Sequence, residues 1–186
     1  MKFRYFLLNK PFGYLCQFTG EPDDLLLGDL YNFPPDVYSV GRLDKDSEGL
    51  ILLTNDNRLK TRLLDPSSKK TKTYLVHVEG NITLEAIRSL EGGTIEISHN
   101  GKKHRVDKAV CKKVNAPKIW ERVPPIRYRS AIPTSWIELT ITEGKNRQVR
   151  KMTAAAGFPT LRLIRIAIDT FTLGDLQPGE VKEISL

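Results

Sequence analysis

The sequence predicts an α+β fold, a largely antiparallel sheet flanked by a few short helices. Three observations carry that expectation. Segments that alternate with period two, or that form short apolar runs, outnumber helical ones; strands and helices follow one another without a regular βαβ repeat; and no internal repeat or low-complexity tract interrupts the 186 residues. A chain of this length can bury a core without disulfide or metal support, and it is read as one domain, 1–186, made of two fused α+β lobes.

In chain order, Phe3 to Leu8 and Val37 to Val40 have strand composition, and Leu50 to Thr54 is an apolar run closed by the turn-forming Asn55, Asp56 and Asn57. Arg58 to Leu64 predicts a short helix that must stop before Pro66. Lys72 to Glu79 alternates, with Tyr74, Val76 and Val78 on one face. Thr83 to Leu90 is helical, and Thr94 to Ile97 and Arg105 to Val114 are strand-like. Trp136 to Thr142 places Ile137, Leu139 and Ile141 on one side of a strand. The next helix should be capped by Asn146, bury Val149, Met152 and Ala156, and stop at Gly157 and Pro159. Leu161 to Ile168 and Val181 to Ser185 complete the strands. Asn115 to Ser135 stands apart, because Pro117, Pro124, Pro125 and Pro133 forbid a regular element; it is expected to be an ordered excursion or insertion.

Lys and Arg number 29 against 22 acidic residues, giving a net charge of +7 and a pI near 9.4. That balance favours a polyanionic partner over a neutral metabolite, although charge of this size also serves solubility. Cys16 and Cys111 form no Cys-x-x-Cys pattern, which fits a reduced, cytoplasmic setting. Asn9, Lys10 and Pro11 cut the first apolar run well short of a signal peptide, and no other run approaches the roughly 20 residues of a membrane helix, so no membrane partner is expected.

The densest chemical signal is Gly41-Arg42-Leu43-Asp44-Lys45-Asp46-Ser47-Glu48-Gly49-Leu50, with three carboxylates at alternate positions in a turn between apolar strands. A calcium loop fits its first half, but Leu52 and Asn55 stand where later ligands, including a bidentate Glu, are needed. A solvated acidic turn remains the plain alternative. His77, His99 and His104 share no ligand spacing with cysteines or acids, and Ser47 has no recognisable base partner, so neither is given a catalytic role.

Lys10-Pro11 after the first strand, the Gly-Arg-Leu-Asp turn, Lys72-Thr73-Tyr74, and Glu143-Gly144-Lys145-Asn146-Arg147-Gln148-Val149-Arg150 closely resemble, in order and across the chain, the motifs of the RsuA-type pseudouridine synthases. Gln17-Phe18-Thr19, Pro124 to Arg127 and Gly157 to Arg165 look most like members that act on the large ribosomal subunit. The resemblance implies the pseudouridine synthase fold, with a bent sheet around a central RNA-binding cleft. It also implies isomerisation of one uridine of 23S rRNA near the peptidyl-transferase region, with no cofactor or metal. The implied partner is 23S rRNA or a large-subunit assembly intermediate, met by a monomer. Only a handful of residues precede Phe6, so the small S4-like RNA-binding domain of many relatives is not expected; Asn57 stands where Gly is usual, a mild departure because both tolerate positive φ.

By the same resemblance Asp44 is the catalytic carboxylate, attacking the ribose or removing a neighbouring proton, while Asp46 and Glu48 are structural. Tyr74 packs on the flipped base, Arg150 pairs with Asp44, and Val149 is an apolar contact near the base. On spacing alone Tyr74 reads more readily as a core residue, and Arg147 and Arg150 more readily as an exposed helix coat. Gly144 to Ile168 holds no acidic residue but carries Lys145, Arg147, Arg150, Lys151, Arg162 and Arg165, a one-sign block suited to phosphates. Arg42 and Lys72 complete the expected substrate-binding set of Arg42, Lys72, Lys145, Arg147, Val149, Arg162 and Arg165. Lys102, Lys103 and Arg105 read as a solvated face. In the proline-rich segment Trp120 and Tyr128 interleave with Lys118, Arg122, Arg127 and Arg129, which suits looped RNA, or else Trp120 and Trp136 anchor the segment to the sheet. An inactive RNA-binding module of the same fold is the rival function, and a glycoside hydrolase using Asp44 a more distant one.

Overall fold

The computed structural model describes residues 2–127, 129 and 131–186; Tyr128, singled out above among the aromatic residues, lies outside the described residues, as do Met1 and Ser130. The elements run β1 (Tyr5–Lys10), β2 (Tyr14–Leu15), β3 (Leu25–Leu26), α1 (Leu27–Leu30), β4 (Tyr38–Ser39), β5 (Glu48–Thr54), α2 (Asn57–Leu64) and β6 (Lys72–Glu79). They continue with α3 (Leu84–Glu91), β7 (Glu96–His99), β8 (Lys102–Arg105), β9 (Val110–Val114), β10 (Thr134–Ile141), α4 (Gln148–Ala155), β11 (Thr160–Ile168), β12 (Phe171–Thr172) and β13 (Val181–Ile184). Among the described residues no helix is long and apolar enough to cross a membrane.

Two compact units divide the chain. The first runs to Lys70 and resumes at Ile164–Leu186. Its centre is β5, whose seven residues are all buried, as expected for a continuous apolar run with neighbours on both edges. Antiparallel β1 lies on one side, with Leu7 opposite Leu52 and Lys10 opposite Gly49, and β13 pairs with the far edge of β1. The end of β11 pairs with β5 in parallel, Arg165 opposite Gly49, and the short β2 and β3 are also parallel, while β1, β4, β12 and β13 pair antiparallel. Helix α2 starts one residue earlier than expected because the Asp56 side chain accepts from the N–H groups of Arg58 and Leu59.

The second unit, Thr71–Leu163, is built on β6, β10 and β9. Strand β6 has the expected boundaries and buries Tyr74, Val76 and Val78; β10 presents Ile137, Leu139 and Ile141 to the same core, with Ile137 opposite Val76 and Leu139 opposite Tyr74. Arg105 to Val114, expected as one strand, is divided between β8 and β9. The reason is a hairpin: Asn100 and Gly101 both take positive φ, the turn that pairs β7 with β8 and ends the latter at Arg105.

Helix α4 also departs from expectation. Asn146 is not its cap; Arg147, in the left-handed region at φ 52°, occupies that position without a side-chain capping bond. Its buried residues are Gln148, Val149, Met152 and Thr153, so the stripe turns toward Thr153 and leaves Ala156 as the half-exposed C-cap.

Candidate active site

Asp44 lies in the first unit on a turn closed by Ser47 N–H donating to the Asp44 carbonyl at 3.0 Å. The turn is held through its backbone. Leu43 N–H donates to Cys16 Sγ at 3.2 Å, and Gly13 N–H donates to the Lys45 carbonyl at 2.8 Å. Lys10, fully buried at the end of β1, directs Nζ to the carbonyls of Pro11 and Tyr14, both at 2.8 Å, and of Lys45 at 3.5 Å. Asp44 is half-buried and Arg42 exposed, whereas Ser47 and Glu48 are buried. Asp44 and Asp46 are thus both partly accessible on a fixed loop while Glu48 is enclosed.

Burial pulls the Lys10 ammonium down to about 8, against the upward pull of Cys16 and of the Glu48, Asp46 and Asp44 carboxylates. The same burial pushes the Cys16 thiol up, opposed by the Leu43 hydrogen bond and by Lys10, Arg165 and Arg42. The turn thus carries a buried cation whose field reaches all three carboxylates. Gly49 closes the base of the loop at φ +104°, where an added Cβ would sit 2.7 Å from the Arg165 backbone nitrogen and still closer to its carbonyl oxygen. Arg165 itself is buried and donates from Nε to the Leu50 carbonyl at 2.9 Å.

The remaining expected site residues belong to the second unit. Around the start of α4 the organising group is the Glu143 carboxylate, which accepts from Gln148 Nε2 at 2.8 Å and Asp107 N–H at 2.8 Å and pairs with His104 Nε2 at 2.7 Å. Gln148 Oε1 in turn accepts from Lys145 N–H at 3.0 Å. Burial alone would raise the Glu143 carboxyl, but the hydrogen bonds from Asp107, His104 and Gln148 together hold it below its ordinary value. This frame leaves Arg147 exposed, Lys145 and Arg150 half-buried and Val149 buried, with Arg150 Nη1 3.5 Å from the Thr160 carbonyl. Tyr74 is 7% exposed and shares the inner face of β6 with its two valines, and Lys72 is half-buried at the start of that strand.

Arg162 is buried, donates from Nη1 to the Trp120 carbonyl at 3.1 Å, and holds its guanidinium 5.6 Å from the Trp120 ring centre. Arg162 and Arg165 thus serve protein carbonyls, whereas Arg42 and Arg147 are exposed and Lys145 half-buried. Lys102 and Lys103 are exposed, with Lys103 beside Glu96, but Arg105 donates to the Gly93 carbonyl at 2.6 Å and so braces the hairpin. Among the described residues no three His, Cys, Asp or Glu side chains are grouped as metal ligands would be. The residues that sequence reasoning left out of the site are Lys10 and Glu143. Both stood inside the quoted motifs, and a lysine on an apolar strand followed by Pro11 was the available signal for the first.

The model of the family described as RNA pseudouridylate synthase matches residues 4–155. The ribosomal large subunit pseudouridine synthase E of Vibrio parahaemolyticus is 49% identical over 180 residues, 97% of this chain and 73% of that protein. The protein of the same name from Xanthomonas campestris pv. campestris is 47% identical over 176 residues, 94% and 91% of the two chains. A crystal structure of a pseudouridylate synthase superposes with a TM-score of 0.79 at 28% identity, covering 99% of this chain and 71% of that one.

Proposed function

The chain belongs to the family of RNA pseudouridylate synthases, and on that premise we propose that it isomerises one uridine of 23S rRNA, in the large subunit or an assembly intermediate, with Asp44 as the catalytic carboxylate. The bond from the ribose carbon to uracil N1 breaks, a bond from the same carbon to C5 forms, C5 gives up its proton and N1 gains one. Nothing else is consumed. Because the glycosidic bond is shielded in a stacked helix, the uridine must be flipped before Asp44 can reach it.

The observation that carries this reading is the Asp44 turn, where a half-buried aspartate sits on a loop whose backbone is fixed on either side by Lys10, Cys16 and Gly13. Tyr74 is assigned to the flipped base, Arg150 to the carboxylate as its ionic partner, and Val149 to the base's apolar edge, all on the likeness of their motifs to the family. Arg42, Lys72, Lys145 and Arg147 are assigned to phosphates, and Arg162 and Arg165 to holding the backbone from which those contacts are made. The enzyme is taken to act as a cytoplasmic monomer, which sedimentation with and without RNA checks.

Asp44→Asn tests the assignment on ribosomal RNA from cells lacking the protein. It should lower turnover by about a thousandfold or more while RNA affinity and melting temperature stay near the parent's. Asp46→Asn should be much milder. Pseudouridine formed by purified Asp44→Asn at a rate close to the parent's removes Asp44 from the chemistry.

A further inference from the structure

The proline-rich excursion between β9 and β10 does more than return the chain. Arg122 braces it from within, donating to the carbonyls of Pro124 at 2.8 Å and Pro125 at 3.2 Å. Its far end is pinned to the exit of β6, where Gly80 N–H donates to the Pro133 carbonyl at 2.7 Å and Ser135 Oγ bridges the Gly80 carbonyl and Ile82 N–H. Between this braced segment and the outer face of the strands lies a cavity of about 530 Å³. Its apolar walls are Ile126, Ile132, Pro133 and Leu161, and its polar groups come from His77, Glu79, Arg127 and Arg129.

We propose that this cavity is a second RNA subsite, which takes one unstacked nucleotide of the substrate RNA, with its base against His77 and its phosphate on Arg127.

A volume of this size lies within the usual range for small-molecule pockets, and a mix of apolar walls with a few convergent polar groups is what a single nucleotide requires. His77 stacks on Trp136 with ring centres 4.5 Å apart and planes 1° from parallel, so a base laid on the imidazole extends an existing stack by one ring. The ring's Nδ1 is buried without a hydrogen-bond partner among the described residues. Burial, and then the charge of Arg162, pull His77 below its ordinary value, so at neutral pH the ring on which the base lies is uncharged. Glu79 can accept from an amino group of the base, which favours adenine, guanine or cytosine over uracil. Arg129 lies 3.5 Å from Glu79 and offsets its charge, which leaves exposed Arg127 as the cation for the phosphate. Phosphate and base are thus recognised by separate groups, as a nucleotide demands and a bare anion does not.

This inference rests on the assignment of 23S rRNA as substrate, and the test separates the two. A fragment spanning the modified uridine is prepared with each of its other nucleotides in turn made abasic. With the parent protein, one abasic position should raise KM about tenfold at unchanged kcat, the size expected for one lost stacked base. Ile132→Trp, which fills the cavity, should raise KM to the same extent on the intact fragment and be indifferent to that abasic position. Arg127→Gln, a surface change, should produce part of the loss and serves if the tryptophan variant does not fold. If abasic substitution harms the cavity variant by the same factor as the parent at every position, or if Arg127→Gln leaves KM on the intact fragment unchanged, no nucleotide occupies the cavity and this inference alone falls. If the parent forms no pseudouridine in 23S rRNA, the substrate assignment falls and takes the subsite with it.

Discussion

The turn that carries Asp44 and the turn that opens α4 have similar lengths and opposite means of support. The first is held by groups that grip backbone carbonyls and amides: Lys10 Nζ, Cys16 Sγ and the packing of Gly49 on Arg165. The second is held by one carboxylate, Glu143, with His104, Asp107 and Gln148 as donors. Backbone-gripping support fixes the loop without relying on its own carboxylates, which suits a turn whose aspartate is proposed as the reagent. Support through a carboxylate occupies a titratable group, which is tolerable where the side chains presented are lysine and arginine rather than a second carboxylate. The contrast makes the two turns separately breakable.

The largest effect is expected from Gly49→Ala. The new methyl would need to occupy space held by the Arg165 backbone, with φ at +104° besides, and backbone cannot swing aside as a long side chain can. A loss of about 4 kcal/mol or more is expected, read as insoluble protein or a collapse in melting temperature. A soluble Gly49→Ala with a parent-like melt would show that β5 and β11 are not clamped at this point.

Lys10→Met comes next, since it leaves buried carbonyls of Pro11 and Tyr14 without their donor and should cost about 3 kcal/mol. Its pH signature is specific. The folded-state value near 8 lies below the ordinary 10.5, so between those limits the unfolded chain binds more protons and the parent gains stability as pH rises. Lys10→Met should lack that gain, which denaturant unfolding across the interval measures, and its kcat should fall about tenfold because the Asp44 turn loosens. An unchanged pH profile with normal turnover would reduce Lys10 to packing.

Much of this contrast was open to sequence reading, and its limits are physical. The alternation of Lys72 to Glu79 located β6 to the residue, because one buried face fixes period and register together. Asn100-Gly101 was an equally plain hairpin signal, and reading Arg105 to Val114 as a single strand missed it. The α4 boundary was not legible in the same way. Asn146 is a good cap by composition, but the Gln148 side chain already takes the Lys145 N–H, and that bond depends on Glu143 being held by partners far off in sequence. The roles of Arg162 and Arg165 were hidden for the same reason: a basic block looks alike whether its guanidiniums face solvent or buried carbonyls.

Glu143→Gln tests the second turn. The carboxyl is held below its ordinary 4.5, so its contribution is complete above that value and is lost as pH falls through the lower folded-state value. At neutral pH the amide should cost about 1–3 kcal/mol, because one acceptor now faces Asp107 N–H, Gln148 Nε2 and His104 with a donor in its midst. In acid the parent should lose this advantage and the two melting temperatures converge. A gap that stays constant from neutral pH to below 4.5 would place the support elsewhere, and a matching fall in Asp44-dependent kcat would show that the two turns are not separately breakable.

The smallest effect is expected from Trp120→Leu, which asks whether the aromatic residues of the proline-rich segment anchor it or read RNA. The Arg162 hydrogen bond goes to the Trp120 carbonyl and survives the substitution, while the ring's interaction with the guanidinium 5.6 Å away is lost, together with some packing. For a half-buried ring that amounts to about 1 kcal/mol. Arg162→Gln removes both the ring contact and the charge-assisted bond from a buried position and should cost more. If the ring is an anchor, Trp120→Leu lowers the melting temperature slightly and leaves RNA affinity and its salt dependence intact. If it reads RNA, affinity falls several-fold with the melt unchanged, since a lost stacked base weakens binding without touching the folded chain. The structure favours the first outcome, because the ring already has a cation to lie against.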